Sequence, residues 1–284
     1  MFMRTTALAT ITILSASTAF ADGHAALSGY ALANDGMTLV TMDSIADPAA
    51  AMTYDLSARL DAIAYRPVTG DLVGFSRDGM VFTIDKMSGA LTDLGATFAD
   101  DAMVTGAAVA MDFNNAIDAV RMVGDDGANL VYFPEGFGDN DERANSVLRF
   151  TDTAYAEGDA NEGTEPLIYA NAYTNAIAGM TAESTFQYAL DARTNALVSL
   201  ANNAGTLETV GTVMVDGEVA DLVTAGGFDI VSPEEGVDMG YAILQMDGAD
   251  TSGLYAIDLT TAEATLLSDL GSTGFSGFAV AMGM

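Results

Sequence analysis

Apolar residues in this chain fall in short runs rich in Val, Leu, Ile, Tyr and Phe, and nearly every run stops at Gly, Asp or Asn. Helical periodicity is scarce, so the pattern predicts many short strands joined by tight turns. Residues 60–95 show the unit: Leu60 to Pro67, Asp71 to Ser76, Met80 to Asp85 and Ala90 to Gly95, separated by turns at Gly70, Gly79 and Gly89. The same order of four strands recurs over residues 107–150, 168–211 and 226–271. The third strands are closely alike, Val81-Phe82-Thr83-Ile84-Asp85 against Leu254-Tyr255-Ala256-Ile257-Asp258.

The two ends complement each other. Ser28 to Asn34, Met37 to Asp43 and Ala51 to Ser57 make a unit without a first strand, and Gly277 to Met282 is a first strand without a unit. A small sheet that is apolar on both faces has to be covered by neighbours, and closing the array into a ring covers every one. The sequence therefore predicts an all-β fold, a five-bladed β-propeller closed by the C-terminal strand completing the N-terminal blade. A β-sandwich also has many short strands, but it has no use for complementary termini. The longer spacings fall on inserts at Gly136–Asn145 and Tyr155–Glu165.

Composition narrows the setting. Half of the 284 residues are apolar, which separates the chain from disordered acidic tails. Its 40 acids against 9 bases give a formal charge of −31. That field repels phosphate backbones and anionic lipid, so nucleic acid is not an expected partner. Acids spread along the whole chain read first as a solvating surface. Residues 1–21 carry Arg4, an apolar stretch and Ala19-Phe20-Ala21, the features of a secretory signal peptide. They predict an exported protein, periplasmic or extracellular, with residues 22–284 as a single propeller domain and no membrane insertion. We expect a monomer. The absence of cysteine removes disulfides, thiolate metal sites and cysteine nucleophiles.

Familiar chemistry lacks its parts. One histidine, His24, near the start cannot supply a multi-histidine metal site, and the single lysine, Lys86, sits beside a turn where a solvated role is expected. First strands line the channel of a propeller, and here they carry Asp61, Asp112, Asn114, Asn171 and Asp229. Asp61, Asp112 and Asp229 fall at similar places in their units and are the candidate acids of a carboxylate-dependent glycoside hydrolase acting at the central mouth. The competing reading is that such aspartates cap neighbouring turns. Arg121 lies on a strand face expected to be covered, where it needs a carboxylate partner, and Asp112 or Asp118 could serve. Asp112, Asn114, Arg121 and Asn129 form the candidate ligand-binding set. Asp139, Asp141 and Glu142 have oxygen ligands at calcium-like spacing, as do Asp159, Asn161 and Glu162, without the full loop of an EF-hand. No cofactor is expected, calcium being the one left open.

Tyr65-Arg66-Pro67-Val68-Thr69-Gly70, Met111-Asp112-Phe113-Asn114 with Arg121 and Asp126-Gly127-Ala128-Asn129-Leu130, Ala172-Tyr173-Thr174-Asn175, Gly205-Thr206-Leu207 and Gly227-Phe228-Asp229-Ile230 stand in an order that resembles the DUF4394 family of exported bacterial domains. The chain departs from that pattern at Asn115, where proline is common, and in the acidic insert after Phe137. The resemblance implies a propeller-like fold and no particular activity. The reading that follows is a non-catalytic scaffold binding an unknown protein, glycan or small ligand, with the glycoside hydrolase as the alternative. A cell-envelope structural protein is a third class.

Overall fold

The computed structural model describes residues 27–282, which form five small sheets arranged as a five-bladed β-propeller. The expected signal peptide and His24 lie outside the described residues. Blade one contains Leu27–Ala33, Thr38–Met42 and Met52–Asp55, and its innermost strand is Gly277–Met282. The closure is antiparallel, with Tyr30 opposite Ala279 and Leu27 opposite Met282. Blade two is Ala62–Tyr65, Leu72–Ser76, Met80–Ile84 and Leu91–Asp93. Blade three is Val109–Asn114, Ala119–Gly124, Asn129–Phe133 and Ser146–Arg149. Blade four is Ile168–Tyr173, Gln187–Asp191, Ala196–Ala201 and Thr206–Thr212. Blade five is Leu222–Glu234, Val237–Met246, Gly253–Ile257 and Glu263–Asp269.

The strands read as continuous apolar runs because both faces of each blade are covered. In Asn129–Phe133, Leu130 and Tyr132 join the core shared with blade two, while Val131 and Phe133 point the other way. Five such cores fill the blade junctions, including the one between blades five and one that the closing strand completes with Phe278 and Val280. The inner strands approach closely there. A Cβ on Gly227 would stand 2.4 Å from the Phe278 nitrogen, so only glycine lets these two inner strands pass.

The short strands Thr97–Phe98, Ala154–Tyr155 and Met214–Val215 were not expected. Each belongs to the connection entering a blade and pairs in parallel with the outermost long strand of blades three, four and five respectively. Two residues carry no periodicity to read, but the placement makes physical sense. It covers an edge that would otherwise present unpaired backbone groups. Blades one and two keep four strands and bare outer edges, Met52–Asp55 and Leu91–Asp93.

Candidate functional site

The innermost strands surround a channel that is filled almost to its axis. Near their beginnings a void of about 40 Å³ is lined by Arg59, Asp61, Ala107, Tyr169, Thr224 and Ser276. Deeper voids of about 10 Å³ each follow, one bordered by Asn171, Phe228 and Phe278, the next by Tyr65, Asp112, Asp229 and Val280. A void of that size holds one water molecule.

Asp112, Asn171 and Asp229 each stand fourth in the stretches Val109-Ala110-Met111-Asp112, Ile168-Tyr169-Ala170-Asn171 and Gly226-Gly227-Phe228-Asp229, but the two aspartates share one void and Asn171 borders another. An innermost strand has a free edge, and its N–H groups still need acceptors. Asp112 and Asp229 supply them across the blade boundary. Tyr173 N–H donates to Asp112 Oδ2 at 2.6 Å, and Val280 N–H donates to Asp229 Oδ2 at 2.6 Å. Asp229 Oδ1 also accepts from the Ile230 N–H at 2.7 Å. Burial drives both carboxyls above the usual carboxylate range, and the proximity of Asp229 adds to the rise at Asp112. Asn171 is fully buried between them in sequence order, and neither its Oδ1 nor its Nδ2 has a hydrogen-bond partner.

Asp61 does not join this pair. It stands just before its strand begins, so it lines the void at the opposite end of the channel. There it accepts from the Arg77 N–H at 2.8 Å and from Arg77 Nε at 2.9 Å, with Arg59 at 3.4 Å. Arg77 reaches on to the carbonyls of Gly106 and Ala107, fastening blade two to the entry of blade three. Similar position within a unit therefore did not mean equal depth.

Arg121 is buried, as its alternating pattern implied, but its partners are neutral. Nε donates to the Tyr173 hydroxyl at 2.8 Å, Nη1 to Asn129 Oδ1 and Nη2 to Asn203 Oδ1 at 2.7 Å. Neither expected carboxylate serves. Asp118 is held by both Nε and Nη2 of Arg66 from blade two, and Asp112 is turned to the Tyr173 backbone. Asn129 Nδ2 donates to the carbonyls of Thr151 and Asn202 at 2.9 Å. The cluster clasps blade three to blade four. Gly205 completes it, with φ of +66° and carbonyl oxygens of Thr151 and Asp152 2.4 Å from where a Cβ would sit. Asn114 Oδ1 accepts from Ala116 N–H and from the Thr185 hydroxyl. Lys86 also departs from the expected solvated role: Nζ donates to the Gly70 carbonyl at 2.7 Å and lies over the stacked rings of Tyr30 and Tyr65.

The far mouth is covered by a long connection that the strand pattern does not mark. Residues 174–186, the connection between the first two strands of blade four, extend across the channel to three other blades. Gly179 N–H donates to the Pro67 carbonyl of blade two at 2.9 Å. Asn115 of blade three sends Nδ2 to the carbonyls of Asn175 and Met180, at 2.7 and 3.1 Å. From blade five, Asp238 accepts from the Asn175 N–H and Ser232 Oγ from the Ala176 N–H. The available signal was length: the corresponding connection in blade three is residues 115–118. This plug shows Met180, 56% exposed, and Phe186, 51% exposed, and the blade-three turn that Asn115 belongs to shows Ile117, 49% exposed.

The acidic loops are peripheral. Asp139 and Glu142 are exposed, and Asp141 is engaged by Arg143 through its Nε, Nη2 and N–H, which hold its carboxyl at about 2. Asp159 binds the Thr209 N–H and hydroxyl, and Glu162 accepts from the Gly158 N–H. Among the described residues no three His, Asp or Glu side chains converge as a metal site. A groove of about 410 Å³ lies on blade five against Tyr241, Asp258 and Glu263. No described helix is long and apolar enough to cross a membrane.

A model of the family described as a domain of unknown function, DUF4394, matches residues 38–279. No curated protein matches the chain. Among solved structures, a structural genomics protein of unknown function from Bacteroides thetaiotaomicron is 12% identical with a TM-score of 0.50, over 89% of this chain and 66% of that one. Auxiliary nutrient binding proteins from Bacteroides thetaiotaomicron and Bacteroides ovatus are 10% and 11% identical, with TM-scores of 0.42 and 0.44, over 75% of this chain and 55% of theirs. The chain thus spans just under two thirds of the first and about half of the others. The first of these likenesses concerns the fold alone.

Proposed function

Because the chain belongs to the DUF4394 family, whose description carries no activity, its role has to be read from its own residues, and we propose that it is an exported, non-catalytic scaffold that binds a protein partner on the plugged face of the ring. The observation that carries this reading is the commitment of the candidate acids. Asp61 is tied to Arg77, and Asp112 and Asp229 accept backbone N–H bonds beside voids the size of one water. A glycosidase needs two carboxyl groups about 5–10 Å apart with room for a sugar between them.

The plugged face supplies what a partner needs. Met180 and Phe186 are exposed on a loop already fixed by blades two, three and five, and Ile117 is exposed on the blade-three turn whose Asn115 holds that loop, so little ordering entropy is lost on binding. A small-ligand reading would use the groove on blade five, whose volume is in the range of ligand pockets.

The test pairs two measurements. Wild-type protein should release no sugar from a panel of bacterial and plant polysaccharides; release that disappears in Asp229→Asn would overturn the scaffold reading. Immobilised protein should retain an envelope protein from its own cells, and Met180→Asp with Phe186→Asp should abolish retention without altering Tm. Retention that survives both substitutions would move the binding surface elsewhere.

A further inference from the structure

Blade one lacks what blades three, four and five have. In those three, the connection entering the blade lays a short strand parallel to the outermost long one, and its second residue, Phe98, Tyr155 or Val215, stands opposite Val147, Leu207 or Ala264. Phe98, Tyr155 and Val215 each pack into the core shared with the preceding blade. The N–H groups of Thr97 and Ala99 donate to the carbonyls of Asn145 and Val147, and those of Ala154 and Ala156 to the carbonyls of Gly205 and Leu207. The connection entering blade one, residues 270–276, is shorter than its counterparts at 94–108, 150–167 and 213–221, and it lays down no such strand.

A groove of about 250 Å³ lies where the missing side chain would pack. Ala33, Val40, Met42, Ala51 and Thr53 of blade one line it, with Phe275 of the entering connection. Thr53 holds the place of Val147, Leu207 and Ala264, as the second residue of an outermost strand on the side of the preceding blade. No charged side chain lines the groove, although the chain carries 40 acids. Blade two also has only four strands, but its neighbour covers the corresponding place. Tyr54 and Leu56 of blade one pack there with Leu91, and a Cβ on Gly89 would stand 2.7 Å from the Tyr54 Cβ.

We propose that the Met52–Asp55 edge and this groove receive an extended segment of a basic partner protein, which pairs in parallel with the edge and seats one bulky apolar side chain in the groove. The direction and the side chain follow from the three blades that carry their own short strand. The charge follows from the rim, where Asp43, Asp47 and Asp269 adjoin lining residues in the chain and are exposed. Lysines or arginines flanking the apolar residue would meet these carboxylates. The groove's size suits one side chain better than a free ligand, since pockets for drug-sized molecules begin near about 300 Å³. A second copy of this chain fits poorly. A twofold dimer hydrogen-bonds like edges antiparallel, and two chains of charge −31 repel each other. The surface is separate from the plugged face and adds a second contact to the scaffold.

The experiment uses the full chain and a fluorescent peptide in which Ala96-Thr97-Phe98-Ala99, the stretch that fills this place in blade three, stands between pairs of lysines. Anisotropy should show saturable binding, and replacing the peptide's phenylalanine by aspartate should weaken it by at least about tenfold. Thr53→Arg, at an exposed position, should weaken it as much, whereas Asp139→Asn with Glu142→Gln should leave it unchanged. Should Thr53→Arg fail to fold, Val40→Phe decides: it fills the groove from within, so peptide affinity should fall while Tm holds or rises. Amide exchange across Met52 to Asp55 should slow when the peptide is bound. Several results would overturn the proposal. They are no saturable binding, equal binding of both peptides, which would show lysines adhering to an acidic surface, and an affinity that ignores Thr53→Arg or Val40→Phe. A dimer in gel filtration that Thr53→Arg dissolves would give the groove to a second copy and overturn it as well.

Discussion

The two mouths of the central channel are closed by opposite means. Where the inner strands begin, closure is ionic: Asp61 gathers Arg77 and Arg59, and Asp126 accepts from Thr105 and Gly106 on the same entry segment. Where they end, the plug hangs from the neutral Asn115 side chain and a backbone carbonyl, and the carboxylates of Asp238 and Glu235 accept only from backbone N–H and hydroxyl groups, with no cation among the described residues paired to them there. Charged side chains can exchange water for one another at modest net gain, whereas an amide that satisfies two carbonyls has no such fallback. The difference predicts unequal sensitivity to substitution, salt and acid.

The largest effect should come from Asn115→Ala. It removes the donor to the Asn175 and Met180 carbonyls, and at roughly 1–3 kcal/mol for each orphaned group the expected loss is about 2–6 kcal/mol. Urea unfolding measures it, and proteolysis near Met180 should accelerate in parallel. A loss that stays the same in 1 M salt agrees with a neutral hinge; a loss near zero would show that the plug is held elsewhere.

At the ionic mouth, Asp61→Ala should cost about 2 kcal/mol, the scale of hydrogen bonds to charged groups, with Arg77 remaining only partly exposed. Asp61→Asn should recover part of it, because an amide oxygen still accepts the Arg77 N–H. Raising salt should shrink the gap between wild type and Asp61→Asn. Salt dependence at Asn115 in place of Asp61 would reverse the comparison.

What the sequence showed depends on the same distinction. Strand runs, blade order and ring closure were legible because covered faces impose long apolar runs, and because Gly277 to Met282 answers a missing strand before Ser28. The family resemblance agreed with the same count. The short parallel edge strands were illegible, as two residues carry no period. At the site, the buried positions of Asp112, Asn171, Asp229 and Arg121 followed from the repeat, but their partners did not. Arg121 pairs across a blade boundary with Tyr173 and Asn203, residues distant in sequence. Asn115, the hinge of the plug, looked only like a departure from a family pattern.

Acid should separate the mouths further. Burial pushes the Asp126 carboxyl up, but hydrogen bonds from Thr105, Ala128 and Gly106 outweigh it and set its pKa below the ordinary 3.8. A carboxyl with a depressed folded pKa adds stability that is fully present above its unfolded value and disappears as pH falls through the folded one. The stability gap between wild type and Asp126→Asn should therefore be constant from pH 7 to about 5 and close below pH 4. The gap at Asn115 should not follow that course. Hydrogen exchange at Thr105 and Gly106 gives the local readout.

The smallest effect belongs to the acidic rim. Asp139 and Glu142 are exposed, and Asp139→Asn with Glu142→Gln should move Tm by less than about 2 °C. Its sign is informative. On a chain of charge −31, removing two negative charges should raise Tm slightly at low salt, through relief of repulsion, and do nothing at high salt. A clear fall in Tm of the double variant, with calcium raising the Tm of wild type but not of the variant, would mean the rim holds a cation. The sequence's excess of acid would then be structural at that loop, and ionic closure would extend beyond the mouth where Asp61 stands.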